Sequence, residues 1–298
     1  MDAVIFILIY IHFVTIIISF SGNIFIVSVN LLDFYKNRRL PISDQLILGF
    51  SVFSLLYGLN EGYILIIDLT QFYSSEYFNI EKHFFMYVNS CTLWFPSLLS
   101  LHFCLKIVNI NNRFYVGLQR RFPTLFPWVI IASPIGYFFL GLYSVLWRER
   151  ECLQNTTSQN LSAEESTRCS WSLFIFTITC VLCTFFCSVS ALTIASSLLK
   201  HMRRVQQNTE GSRSPNMDSH IRAIKTIGTL LATNILIFIS VSILVLDKTA
   251  VPWRYLLGIL ISFCHILSSY FLIKGTKKLD KTLAEILNMF SWIRGNNQ

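Results

Sequence analysis

The sequence predicts an all-α membrane protein, a bundle of seven helices that cross the bilayer with the amino terminus outside and the carboxyl terminus inside. Three observations predict it. The 298-residue chain is 53% hydrophobic and only 13% charged, where ordinary globular domains carry about 25% charged residues. Its apolar residues gather in seven runs long enough to cross hydrocarbon, at about 4–32, 44–68, 83–109, 125–147, 171–199, 224–246 and 253–273. Finally, its 24 Lys and Arg are divided unevenly between the segments that separate the runs. Lys82, Arg148, Arg150, Arg168, Lys248 and Arg254 fall on one side and the other 18 on the opposite side, which the positive-inside rule makes cytoplasmic. The net charge of +8 therefore reports topology and not a nucleic-acid surface.

The first run, from Val4 to Leu32, is too long for the apolar core of a cleavable signal peptide and is expected to stay as a helix. Lys36, Arg38 and Arg39 hold its far end in the cytoplasm. Asn23, within Gly22-Asn23-Ile24-Phe25-Ile26, must find hydrogen-bond partners in hydrocarbon and is expected to bond to another helix, with Gly22 permitting close approach. The second run starts with Pro41-Ile42-Ser43-Asp44-Gln45, where Ser43 or Asp44 is placed to cap the helix. Glu61, towards its outer end, could serve as a ligand or ion partner, but its position near the interface favours a solvated or snorkelling carboxylate. The segment from Gln71 to Lys82 reads as an outer loop without motif chemistry.

The third run passes from an aromatic end, Trp94-Phe95-Pro96, to a basic end at Lys106, and Pro96 is expected to kink it. One end is suited to sense and the other to report. Pro127 and Pro134 lie in the first turn and the interior of the fourth run. The polar segment Arg148–Ser170 follows, with Asn155 and Asn160 in the N-x-[ST] glycan acceptor pattern and with Cys152 and Cys169 placed for a disulfide outside the cell. Cys180, Cys183 and Cys187 recur at helical spacing in the fifth run and read as small buried hydrophobes. The longest and most basic cytoplasmic segment joins the fifth and sixth runs. After the seventh, Lys274, Lys277, Lys278 and Lys281 open an amphipathic tail, Leu279 to Ile293, that is expected to lie on inner-leaflet lipid.

Seven helices admit several functions. The seventh run has no lysine in its middle to carry retinal, no internal repeat or midplane charge marks a transporter, and His12, His102 and His265 lie on separate helices, which argues against a metallo-hydrolase. No cofactor or metal is expected. A transporter of the same topology is the alternative reading, separable by a flux assay.

The run ends resemble the bitter taste receptors, taste receptor type 2, a family of G-protein-coupled receptors. Gly22, Asn23, Phe25, Ile26, Val29 and Asn30 match the pattern GNxFIxxVN, and Asp44-Gln45 matches SDQ. Leu99-Ser100 and Leu105-Lys106-Ile107 with Asn109 match LSxxxxLKIxN, followed by Arg120-Arg121. Ser197-Leu198 with Lys200-His201 is similar to SLxKH, and His220-Ile221-Arg222-Ala223 with Lys225-Thr226 to HIRALKT. The chain departs from the family in three places. Ser54 stands for an arginine in the second span, His265 sits about one turn before the family histidine, and the ending HS...GNPKLK of the seventh span reads Ser268-Ser269...Gly275-Thr276-Lys277-Lys278-Leu279. The DRY and NPxxY signatures of rhodopsin-like receptors are absent from the sequence.

The resemblance implies a plasma-membrane, multi-pass receptor for small, mostly apolar bitter molecules. Trp94 and Gly258 align with family positions that contact agonists. By their depth Phe95, Leu98, Phe174, Phe238 and Tyr255 are expected to complete an aromatic pocket. Lys106, Arg120, Arg121, Lys200, His201, His220, Arg222 and Lys225 are expected to border the opening for a heterotrimeric G protein with a gustducin-like or inhibitory α subunit.

Overall fold

The structure, a computed structural model, describes residues 3–70, 75–108, 113–154, 161–208, 215–246 and 251–296. They form eight helices: α1 Ala3–Asn37, α2 Ile42–Thr70, α3 Ser75–Ile107, α4 Arg113–Gln154, α5 Leu161–Asn208, α6 Pro215–Leu246, α7 Val251–Gly275 and α8 Lys277–Asn296. No strand occurs among the described residues. The first seven are long and apolar enough to cross a membrane. A helix closes its backbone hydrogen bonds internally, so it need not stop where hydrocarbon ends. That is why α3 begins at Ser75, inside the segment expected to be a loop, and why α4, α5 and α6 also outrun their apolar runs.

The turn between α1 and α2 is short and fixed by backbone geometry. Arg38 adopts φ 56° and its N–H donates to the Phe34 carbonyl at 2.8 Å, a left-handed stop to α1. Its guanidinium lies 5.6 Å from the Tyr35 ring centre. The N–H groups of Asp44 and Gln45 both donate to the Pro41 carbonyl at 3.0 Å, so α2 starts at Ile42. Ser43 and Asp44, expected as caps, lie inside the first turn, and the Asp44 carboxylate is drawn away to a lysine of α8.

Helix α3 is the central stave, packed against α2, α4, α5 and α6. Its apolar stretch is 72% buried within the protein, whereas that of α4 is only 6% buried. One core cluster joins Leu46, Ile47 and Phe50 of α2 to Phe95, Leu98 and Leu99 of α3 and Leu272 of α7. A second, nearer the amino-terminal end, gathers Tyr57, Leu93, Phe176, Ile237 and Ile261. Ile131, Ile135, Phe138 and Phe139 of α4 and Leu192 of α5 are exposed, as side chains that meet lipid tails are. Cys180, Cys183 and Cys187 are buried, as their spacing predicts, and carry free thiols.

Candidate ligand and signalling site

Small polar side chains join the helices through their middle. Asn23 Nδ2 donates to the Ser19 carbonyl at 2.8 Å, and its Oδ1 accepts from Ser269 of α7 at 3.0 Å. The expected cross-helix bond of Asn23 is therefore present, and Gly22 lies where a Cβ would stand 3.5 Å from Ser269. Ser54 of α2 lies 3.2 Å from His265 Nδ1 of α7. The two positions that depart from the family pattern thus meet each other and give α2 a polar tie to α7. Thr233 of α6 and Ser268 of α7 add a hydroxyl pair at 3.0 Å.

Around α3, Ser97 donates to the carbonyls of Leu93 at 2.8 Å and Cys183 at 3.1 Å, and Asn234 of α6 donates to Ser97 at 3.4 Å. One hydroxyl therefore touches both α5 and α6. A turn above it, Trp94 stands edge-on to Tyr137 of α4 with ring centres 6.3 Å apart, and its Nε1 is buried with no hydrogen-bond partner. Phe95 stacks on Phe53 of α2 at 5.5 Å, and Leu98 is buried beside it. Phe238 is partly buried in the same cluster as Trp94. The remaining expected contacts are placed apart from this group. Tyr255 donates its hydroxyl to Asp68 at 2.9 Å, Gly258 packs against His12, and Phe174 is 54% exposed on α5.

Glu61 departs from its expected role as a solvated carboxylate. It is 7% exposed and its Oε2 lies 3.5 Å from Nε2 of His12. Each residue alone reads as a polar group near an interface. Their pairing depends on the register of α1 against α2, which no local pattern in the sequence encodes.

At the opposite end of the bundle, charged groups tie α8 to four other helices. Lys278 Nζ donates to Asn30 at 2.9 Å, Asp33 at 2.8 Å and Asp44 at 2.9 Å. Partial burial pulls its pKa down, but the hydrogen bonds and charges of Asp33 and Asp44 outweigh this and raise it above the usual lysine value. Asp280 accepts from Lys274 at 2.8 Å and from Arg222 of α6 at 3.5 Å. The Lys274 hydrogen bond is the leading reason that its carboxyl is held below the usual range. Two residues of the recognised pattern, Asn30 and Asp44, meet Lys278 here in one clamp.

Beside the clamp lies a cavity of about 580 Å³, lined by Ile47, Leu99, Phe103, Leu272 and Thr226, with Lys106 and Lys277 at its polar wall. Lys106, Arg120, Arg121, Lys200 and Lys225 are all exposed at this end. Arg222 is only half free of its neighbours, since it also reaches the Lys274 carbonyl at 3.4 Å. The side chains of His201, His220, Cys152 and Cys169 lie outside the described residues, as do Asn155 and Asn160.

Seven apolar helices with α3 at their centre, a cluster of aromatic rings towards one end and a cavity edged by Lys106 and Lys277 at the other make a multi-pass seven-helix membrane bundle. Comparison with known proteins gives the family. A profile described as Taste receptor protein (TAS2R) matches residues 1–291. Among similar proteins, taste receptor type 2 member 41 of Mus musculus is 26% identical over 268 residues, covering 85% of each chain. Taste receptor type 2 member 40 of Gallus gallus is 26% identical with 91% of each chain covered, and member 41 of Rattus norvegicus is 28% identical with 85% covered. The chain belongs to the taste receptor type 2 family, whose members are G-protein-coupled receptors and not enzymes.

Proposed function

We propose that this protein is a plasma-membrane receptor, amino terminus outside, that couples the binding of small, mostly apolar bitter molecules to a heterotrimeric G protein. The observation that carries the reading is the cavity at the α8 end, walled by α2, α3, α6 and α7 and edged by exposed cations. A groove of that shape suits the amphipathic carboxyl-terminal helix of a G-protein α subunit. Lys106 lines it, Arg120, Arg121, Lys200 and Lys225 are exposed at the same end of the bundle, and His201, His220 and Arg222 are assigned to the same rim by their sequence positions.

Ligand recognition falls to the aromatic end of α3. Trp94, Phe95, Leu98 and Phe238 supply apolar contact, and the unpartnered indole N–H of Trp94 selects ligands that carry a hydrogen-bond acceptor. Phe174, Tyr255 and Gly258, expected from the sequence to join them, lie apart from this group and are left out of the proposed contact set. A ligand shifts the bundle only through a difference in affinity between its two states. The bonds from Ser97 to α5 and from Asn234 to Ser97 make α3 the element on which that difference acts.

The reading is tested by calcium imaging of transfected cells against a panel of bitter compounds. Trp94→Ala is expected to abolish or weaken at least about tenfold the responses that wild type gives, the loss of a buried aromatic anchor. Activating compounds are also expected to stimulate GTP exchange on gustducin-like or inhibitory α subunits in membranes. Unchanged responses in Trp94→Ala refute the pocket, and absence of exchange with every subunit refutes the coupling.

A further inference from the structure

His12 of α1 is 2% exposed, and neither of its ring nitrogens has a hydrogen-bond partner. A buried polar group left in that state carries its full desolvation cost, and such groups in native structures call for an explanation. Nε2 lies 3.5 Å from the Glu61 carboxylate across the α1–α2 interface. That is longer than a charge-assisted N–H···O bond, which runs about 2.7–2.9 Å. It is the spacing of two donors on one metal ion, since ligand atoms about 2.0–2.2 Å from zinc at the tetrahedral angle stand about 3.4 Å apart.

We propose that His12 Nε2 and Glu61 Oε2 form a two-donor site for a divalent transition-metal ion, zinc or copper(II), that bridges α1 and α2 with water in the remaining positions. An imidazole and a carboxylate suit these ions, whereas magnesium and calcium prefer oxygen alone. The surroundings favour a cation. Asp68 and Glu81 lie within electrostatic range of Glu61, opposed there by the single guanidinium of Arg254. Helix α7 supplies the floor. A Cβ on Gly258 would stand 2.6 Å from His12 Cε1 and 3.0 Å from Nε2, so glycine is what lets the ring lie where it faces Glu61. Two protein donors, with no carboxylate or carbonyl fixing Nδ1, set the affinity below that of closed four-ligand structural sites.

The test uses the full-length receptor in detergent, with its thermal unfolding midpoint followed against zinc chloride alone and magnesium chloride as control. Zinc is expected to raise the wild-type midpoint and magnesium to leave it unchanged. His12→Phe and Glu61→Gln are each expected to weaken the zinc dependence at least about tenfold, comparable to or beyond the loss of an indirect ligand support. Gly258→Ala keeps both donors and is expected to weaken it as well. Surface histidines bind zinc too, so the difference between wild type and variant is the quantity read. With copper(II), electron paramagnetic resonance is expected to show nitrogen coupling that His12→Phe removes. Glu61→Gln changes one atom and decides alone where His12→Phe does not fold. A wild type without a zinc shift, or a folded donor variant with the wild-type shift, overturns the site.

Discussion

Replacing Lys278 by methionine keeps most of the side-chain volume and removes the charge that holds α8 to α1 and α2. Lys278 makes three contacts at 2.8–2.9 Å, with its side chain 30% exposed and those of Asp33 and Asp44 24% and 11% exposed. Hydrogen bonds to charged groups are worth about 1.5–3 kcal/mol each. Solvent screening and the desolvation of three partners reduce their sum, and the two carboxylates left facing each other add to the loss. The net expectation for Lys278→Met is about 2–4 kcal/mol, a fall in the unfolding midpoint on the order of 3–6 °C for a chain of this size. A double-mutant cycle with Asp44→Asn isolates the pair, with an expected coupling of about 1–3 kcal/mol. Thermal unfolding of the four purified receptors gives the numbers. Strict additivity of the two substitutions would refute the clamp as an energetic unit.

Three further perturbations follow from the same geometry. A Cβ on Gly275 would stand 3.2 Å from Thr226 Cγ2 and 3.3 Å from its Cβ, and would also run into Oγ1. Gly275→Ala must therefore push α6 away from α7 at an overpacking cost of about 1–3 kcal/mol, and agonist-independent G-protein signalling is expected to rise, by about tenfold for each 1.4 kcal/mol transferred to the open state. A normally expressed variant with wild-type basal signalling contradicts this. Arg38→Gly relieves a left-handed residue by about 1 kcal/mol and loses a cation–π contact of about 0.5 kcal/mol, so a slightly higher unfolding midpoint is expected and a lower one counts against the account of the α1 stop. The folded-state pKa of Asp280 is depressed below its ordinary 3.8, so its contribution is fully present above that value and lost as pH falls through the folded value. Asp280→Asn is expected to erase that part of the acid-side slope in melting, and an unaltered slope removes Asp280 from the account.

The apolar runs were legible because lipid makes a simple demand that composition answers over some twenty residues at a time. The helix ends were not. Ser75 and Arg113 continue or begin helices in polar sequence because backbone hydrogen bonding there needs nothing from hydrocarbon. The pattern fragments were recognisable singly, but their purpose was hidden by distance along the chain. Asn30 and Lys278 are 248 positions apart, and nothing near either one announces the other. Ser54 and His265 illustrate the same limit. Read separately they are two losses, and only the packing of α2 on α7 shows that they touch each other. Glu61 was misjudged because its depth was inferred from position along α2 and its direction around the helix was not.

Helix α4, barely covered by the rest of the protein, has a consequence of a different kind. Its environment is set by acyl chains more than by neighbouring side chains, so exchanges among Leu, Ile and Phe along it cost little and drift freely through evolutionary time. The same independence makes α4 the stave most responsive to membrane thickness and sterol content, and a fluorophore placed on it would report on the host bilayer before it reported on the receptor.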